Sequence, residues 1–129
     1  MAYNILIVDD SSIIRKVLIK TLSLAKIPVG ELYEAANGKE ALDTLNDSWV
    51  DLVFADINMP VMSGVEMIEK MRESGLLESI PVVIISTEGS STRIDELKAK
   101  GVKAYVRKPF TPEDIEKVFR DVMGESNGE

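Results

Sequence analysis

Acidic, hydroxyl and ammonium side chains stand directly after short apolar runs of this sequence, where buried strands would end. These groups are, in chain order, Asp9 with Asp10, Asp56, Ser86 and Lys108. Ligands of open α/β sheets bind beyond the carboxyl ends of the strands, at the point where the strand order reverses. If the first and third strands are neighbours, we therefore expect three carboxylates to meet in one pocket.

Those residue types at the end of a sheet indicate phosphoryl chemistry that depends on a divalent metal. Close carboxylates repel one another unless a cation lies among them, and Mg²⁺ typically keeps waters and accepts a phosphate oxygen as a further ligand. Lys108 would place a mobile positive charge on a phosphoryl oxygen, and the Ser86 hydroxyl could donate to another. Asp56 would then be a carboxylate nucleophile that forms an acyl phosphate, with positioning and charge neutralisation supplying most of the catalysis.

Each of these residues has a purely structural alternative when it is taken alone. Asp9 and Asp10 could cap the first helix, and Asp56 could be a turn residue ahead of a proline. Ser86 could cap the next helical segment, and Lys108 could be a solvated lysine before a loop. The placement of every one of them at the end of its own strand favours a shared site, because structure alone does not require that coincidence.

The residue types that are missing exclude several other classes of site. The 129-residue chain has no cysteine and no histidine, so it offers no disulfide, zinc–thiolate site, thiol nucleophile or imidazole base. Any metal must be bound through oxygen, which indicates magnesium, calcium or manganese. The net charge of −7 disfavours nucleic acid and membrane surfaces as partners, since both are polyanions.

Apolar runs alternate with amphipathic helical segments along the whole chain. The runs that predict strands are Ile5–Val8, Leu32–Ala35, Leu52–Ala55, Val82–Ile85 and Ala104–Arg107. Most are continuously apolar, as expected for strands covered on both faces, whereas the second is more polar and suits an edge. Strict alternation of strand and helix predicts an α/β fold, a doubly wound five-stranded parallel sheet with helices on both faces.

The helices between these strands have readable starts. Asn37 followed by Glu40, and Ser63 followed by Glu66, predict two capping boxes, in which cap and third residue exchange hydrogen bonds. Thr111 ahead of a proline predicts a hydroxyl cap with proline at the first helical position.

One domain accounts for nearly all of the chain. We predict a domain over residues 1–124 and a polar tail over residues 125–129. The first residues lack a basic region and a signal-peptide core, and no apolar stretch approaches the roughly 18 residues of a membrane helix. A cytoplasmic location is therefore expected.

Four segments in order resemble the receiver domains of two-component response regulators, especially stand-alone, CheY-like receivers. The segments are residues 5–11, residues 56–64, residues 82–87 and residues 105–110. The resemblance covers about Asn4 to Met123 and implies a flavodoxin-like sheet of strand order 2-1-3-4-5, an order for which CheY is itself a standard example.

The resemblance also implies a role for each site residue. Asp56 would be the phosphoacceptor, with Mg²⁺ as cofactor. Its ligands would be Asp10, Asp56 and the backbone carbonyl of Asn58, while Asp9 would act largely through water. Lys108 would hold the phosphoryl group.

A second set of implied residues concerns switching and phosphoryl lifetime. Ser86 would occupy the switch hydroxyl position, and Tyr105 would move inward when Ser86 is drawn towards the phosphate. Serine at position 86 lacks a methyl group that threonine would supply, so the switch could pack more loosely. Thr87, where many relatives carry alanine, could narrow the pocket, and Asn58 and Glu88 occupy positions that tune phosphoryl lifetime.

The implied partners are a sensor histidine kinase or phosphotransfer protein as donor and a downstream protein as target, in chemotaxis or a phosphorelay. The target would bind a face of the fourth helix, fifth strand and fifth helix that phosphorylation biases between two states. Basic residues on that side could favour an acidic partner, the alternative being a solvated face of mixed charge; they are Arg93, Lys98, Lys100, Lys103 and Arg107. No nucleic acid and no membrane insertion are expected, and the chain is expected to be a monomer.

Three other functions fit the sequence less well. A magnesium-dependent aspartyl-phosphate phosphatase would need a general acid two residues after its nucleophile, but Asn58 follows Asp56 and Ser12 follows Asp10. A receiver that switches without phosphate would not need the complete acidic cluster. Nucleotide binding lacks its glycine-rich loops. The sequence thus predicts a phosphoacceptor with self-catalysed transfer and autodephosphorylation, not a classical enzyme.

Overall fold

A computed structural model describes residues 2–87 and 91–123, and these contain five strands and six helices. The strands are β1 Tyr3–Val8, β2 Val29–Ala35, β3 Leu52–Ala55, β4 Val82–Ser86 and β5 Ala104–Arg107. The helices are α1 Ser12–Leu24, α2 Gly38–Asp47, α3 Gly64–Ser74, α4 Leu76–Ser79, α5 Ser91–Lys100 and α6 Pro112–Met123.

All strands pair in parallel in the order β2-β1-β3-β4-β5, which confirms the predicted fold class. The more polar β2 is an edge strand, as its composition predicted. Alternate side chains of β1 point into two cores: Leu6 and Val8 pack with α2 to α5, and Ile5 and Ile7 pack with α1 and α6. Burial on both faces explains why strands of this kind read as continuous apolar runs.

The structure differs from the sequence predictions at several boundaries. β1 and β2 begin earlier than predicted, and β4 includes Ser86 as its last residue. The short helix α4 was not predicted, so the predicted fourth and fifth helices are α5 and α6. Two predicted features, the residue Glu88 and the polar tail over residues 125–129, lie outside the described ranges.

The predicted helix starts are largely confirmed. Ser63 and Glu66 form the complete capping box of α3. Thr111 accepts from the backbone N–H of Asp114, whose carboxylate accepts from the Thr111 N–H, ahead of Pro112 as the first helical residue.

The capping box predicted for α2 was wrong in one of its two bonds. Asn37 caps the helix by accepting from the Glu40 backbone N–H, but the Glu40 carboxylate accepts from the N–H of Ala36 instead of Asn37. The carboxylate thus reaches one residue further back and connects the helix to the end of β2.

Within the part of the chain that is described, none of the helices has both the length and the apolar character that a membrane span requires.

Candidate functional site

The sheet ladder continues for one residue beyond β1 and β3, and this brings two aspartates side by side. The backbone N–H of Asp9 donates to the Ala35 carbonyl at 3.1 Å, and the N–H of Asp56 donates to the Val8 carbonyl at 2.9 Å. At the other side of the sheet, the N–H of Lys108 donates to the Ser86 carbonyl at 2.9 Å. Parallel pairing therefore delivers these side chains to one edge, as their position in the sequence indicated.

Three carboxylates form the centre of this edge. Each of Asp9, Asp10 and Asp56 offers a carboxylate oxygen, and these atoms lie within 4.8 Å of one another. Asp9 is buried with 5% exposure, Asp56 is half-buried, and Asp10 is exposed. A set of donors made only of oxygen, open to solvent on the Asp10 side, fits a hard divalent cation that keeps part of its water shell.

The Lys108 ammonium group compensates part of this negative charge. Its Nζ donates to Oδ2 of Asp9 at 3.1 Å and lies 3.9 Å from Oδ1 of Asp56. The lysine side chain is only 16% exposed, so solvent screens these contacts less than it screens a surface ion pair. Lys108 therefore contacts two of the three carboxylates that could hold a cation.

The surroundings of Asp56 raise the pKa of its carboxyl group above the ordinary value. Burial is the largest cause; Lys108 and the Ile57 backbone N–H oppose it, and the charges of Asp9 and Asp10 add to it. The Ile57 N–H donates to Oδ1 of Asp56 at 2.8 Å. Negative charge on Asp56 is thus disfavoured in the folded, metal-free protein, the condition under which a cation relieves the repulsion.

We expect Asp56→Asn to stabilise the metal-free protein at neutral pH. Because the folded-state pKa of Asp56 lies above its unfolded value, the ionised form is the destabilising one, and its cost appears as the pH rises through the folded-state pKa. The gain should be on the order of 1 kcal/mol in unfolding free energy. It should shrink as the pH falls through the folded-state pKa and be absent below the ordinary carboxyl pKa.

Urea unfolding in a chelator, at neutral and at acidic pH, measures this effect. Asp95→Asn, at an exposed position of α5, is the matched control and should give no comparable change. A stabilisation by Asp56→Asn that is equally large at acidic pH would contradict the stated cause.

The capping alternative for Asp9 and Asp10 is resolved by the structure. The N-cap of α1 is Ser11, whose hydroxyl accepts from the Ile14 backbone N–H at 3.2 Å. Asp9 supports that turn by accepting from the Ser11 N–H with Oδ1 at 2.9 Å, while its Oδ2 accepts from Lys108. The Asp9 carboxylate therefore serves both the turn and the cluster.

The predicted switch and tuning residues lie in different environments. Ser86 is 1% exposed at the end of β4 and lies opposite Arg107 in the register with β5. Tyr105 is half-buried and packs against the core shared with α2 to α5. Asn58 and Thr87 are exposed.

The sequence predictions missed two residues that shape the site. Arg15 of α1 donates to the backbone carbonyl of Asp9; nothing in the helical pattern distinguished it from the other basic residues of α1.

Gly64 is the first residue of α3, and its N–H donates to the Ile57 carbonyl at 2.7 Å. A Cβ atom at position 64 would lie 2.2 Å from the Asp56 carbonyl oxygen, so the backbone of this loop requires glycine. A glycine eight residues after Asp56 was the available signal.

Trp49 lies just before β3 and is 76% exposed. Its indole N–H donates to Oδ1 of Asp51 at 2.9 Å, and its carbonyl accepts from the Asn4 side chain. These contacts hold it at the amino ends of the strands, away from Asp56. We expect Mg²⁺ to leave Trp49 fluorescence nearly unchanged when calorimetry shows the metal bound; a large quench would contradict this placement.

A family model described as response regulator receiver domain matches residues 5–120. The chain belongs to this family. The chemotaxis protein CheY homolog of Campylobacter jejuni is 35% identical over 127 residues, which cover 98% of this chain and 96% of that relative.

Solved receiver structures agree with this assignment. CheY4 of Vibrio cholerae has a TM-score of 0.82 and 34% identity, covering 95% of this chain and 99% of that one. The CheX–CheY–BeF3–Mg²⁺ complex from Borrelia burgdorferi has a TM-score of 0.86 and 27% identity, with 95% and 90% covered. The chain is thus a CheY-like receiver domain of two-component signalling, a family of signalling domains and not of classical enzymes.

Proposed function

We propose that this receiver accepts a phosphoryl group on Asp56, from a sensor histidine kinase or phosphotransfer protein, with the help of Mg²⁺. The observation that carries the proposal is the convergence of Asp9, Asp10 and Asp56, with carboxylate oxygens within 4.8 Å of one another, beside the Lys108 ammonium group. Placed together, a nucleophile, a cation site and a positive charge are the components that phosphoryl transfer requires.

The acidic cluster fits the proposed metal ion. Asp10 and Asp56 would bind it directly together with the backbone carbonyl of Asn58, and Asp9 would act largely through water. The bound ion would neutralise charge on the transferring phosphoryl group. Asp9 is the most buried of the three and already accepts from Lys108 and from the Ser11 N–H, which supports its indirect role.

In the proposed transfer step an Asp56 carboxylate oxygen attacks the phosphorus atom. The new phosphorus–oxygen bond forms as the bond from phosphorus to the donor nitrogen of a phosphohistidine breaks, and the imidazole leaves with the electron pair. Lys108 would move its ammonium group from the carboxylates to a phosphoryl oxygen, and Ser86 would donate to another. Attack by water would later break the bond between phosphorus and the Asp56 oxygen, releasing inorganic phosphate and returning the carboxylate.

Phosphorylation would bias the face formed by α5, β5 and α6 and so control a downstream protein. Ser86 ends β4 and its carbonyl accepts from the Lys108 N–H, so a pull on either side chain reaches β5, which carries Tyr105. A groove of about 920 Å³ runs along this face. The charged residues that line it are Lys98, Lys103, Arg107, Lys117, Asp114 and Asp121. Their surplus of positive charge would favour an acidic partner, whereas Lys100 points its ammonium group to Glu69 at 2.7 Å.

Incubation with acetyl phosphate and Mg²⁺, followed by intact mass spectrometry, tests the proposal. We expect the wild-type protein to gain the mass of one phosphoryl group, and Asp56→Asn or a chelator to prevent the gain. Asp51→Asn, at a carboxylate on the opposite edge of the sheet that binds Trp49 and the Asn4 backbone, is the matched control and should leave labelling intact. Equal labelling of the Asp56→Asn protein would refute the proposed acceptor, and sustained turnover of a generic phosphomonoester would instead support a phosphatase.

A further inference from the structure

Arg15 joins two segments of the chain next to the acidic cluster. Its Nη1 donates to the backbone carbonyl of Asp9 at 2.6 Å, and its Nε donates to Oε1 of Glu34, on β2, at 2.8 Å. The arginine side chain is 16% exposed. Two charge-assisted bonds from one planar guanidinium group define its orientation in a way that a single contact would not.

These contacts complete the set of hydrogen bonds that hold Asp9 in place. The Asp9 N–H donates to the Ala35 carbonyl, its carbonyl accepts from Arg15, and its carboxylate accepts from the Ser11 N–H and from Lys108. The Asp9 carbonyl is part of the peptide group that joins Asp9 to Asp10. The position of the exposed Asp10 carboxylate therefore depends on the orientation of that peptide group.

We propose that Arg15, oriented by Glu34, is a positioning residue for divalent-cation binding at the cluster of Asp9, Asp10 and Asp56. It acts through the Asp9 backbone carbonyl and does not contact the ion. The inference rests on the proposed function, since it requires that the cluster bind Mg²⁺.

Charge and position make opposite predictions for the removal of this arginine. A positive charge near a cation site repels the ion, so loss of the charge alone should tighten Mg²⁺ binding. Loss of an orienting contact behind the ligands should weaken binding, and such contacts typically change metal affinity by about 10- to 100-fold. The sign of the change therefore separates the two roles.

Isothermal titration with Mg²⁺ measures this sign in the full chain. We expect Arg15→Met to weaken binding at least about tenfold. Lys16→Met, at the exposed neighbouring position of α1, removes the same charge without the contact and should leave binding unchanged or slightly tighter. Arg15→Lys keeps the charge but cannot reproduce both bonds, so its Mg²⁺ affinity should lie between those of the wild-type protein and Arg15→Met. If Arg15→Met does not fold, Arg15→Lys alone provides the test.

A double-mutant cycle with Glu34→Gln adds a readout that general destabilisation would not move. If Glu34 acts by orienting the guanidinium group, its substitution should weaken Mg²⁺ binding in the wild-type background and have little effect beside Arg15→Met. An effect of Glu34→Gln that is equal in both backgrounds would show that only its charge matters.

The possible outcomes distinguish this inference from the proposed function. If the wild-type protein binds Mg²⁺ and both Arg15→Met and Arg15→Lys bind it equally well or more tightly, the role of Arg15 is overturned. The proposal that Asp56 accepts the phosphoryl group would be unaffected by that result. Absence of Mg²⁺ binding by the wild-type protein would overturn both. Weaker binding by both variants, with Lys16→Met near wild type, would establish the role.

Discussion

Lys108→Met is expected to slow phosphoryl transfer to Asp56 by about 10²-fold, the usual effect of removing one fixed donor from a developing anion. It is also expected to tighten Mg²⁺ binding roughly tenfold, because the ammonium group competes with the ion for the same carboxylates. Lys108 binds Asp9 at 3.1 Å and lies 3.9 Å from Asp56. A variant with higher metal affinity but lower transfer rate would assign the lysine to the phosphoryl group.

The two measurements are the labelling rate with acetyl phosphate at saturating Mg²⁺ and the Mg²⁺ affinity by calorimetry. Lys117→Met is the matched control, since Lys117 lies on α6 with its side chain 75% exposed and pairs with Asp121. It removes the same charge far from the carboxylates and should leave both values near wild type. Normal transfer by Lys108→Met at saturating metal would contradict the proposed role.

Gly64→Ala is expected to destabilise the fold by about 3 kcal/mol, at the upper end of the usual range for overpacking. The added Cβ would lie 2.2 Å from the Asp56 carbonyl oxygen and 2.9 Å from the Ile57 Cα. Both neighbours are backbone atoms, so no side-chain rotation relieves the contact. Since the displaced carbonyl belongs to the proposed phosphoacceptor, labelling of Asp56 should also fall.

Gly75→Ala separates steric contact from backbone strain. Gly75 has a φ of 84°, but a Cβ atom at this position would meet no other atom within 4 Å. Alanine there should therefore cost only about 1 kcal/mol for the left-handed backbone. Denaturant unfolding and labelling of both variants provide the comparison. If Gly64→Ala were no more destabilised than Gly75→Ala and were labelled normally, the tight packing behind Asp56 would be unimportant.

The sequence by itself determined the number and order along the chain of the strands, the burial of the central ones on both faces, and the edge at which the acidic residues meet. Apolar runs such as Leu52–Ala55 predict buried parallel strands, and parallel strands bring their carboxyl ends to the same edge. Asp9, Asp56 and Lys108 could therefore be placed together before any contact was known. These features can be read from local composition because apolar residues occupy the faces of a strand or helix that are buried in the core.

Only the tertiary structure decided how those residues are held. Lys108 and Asp9 are 99 residues apart in the chain, and Arg15 reaches Glu34 across 19 residues. The glycine at position 64 is visible in the sequence, but its close packing against the Asp56 carbonyl and the extra helix α4 appear only in the folded chain. Burial is a property of each segment and leaves a periodic trace in its sequence, whereas the pairing of side chains from different segments depends on distances that arise only when the elements pack.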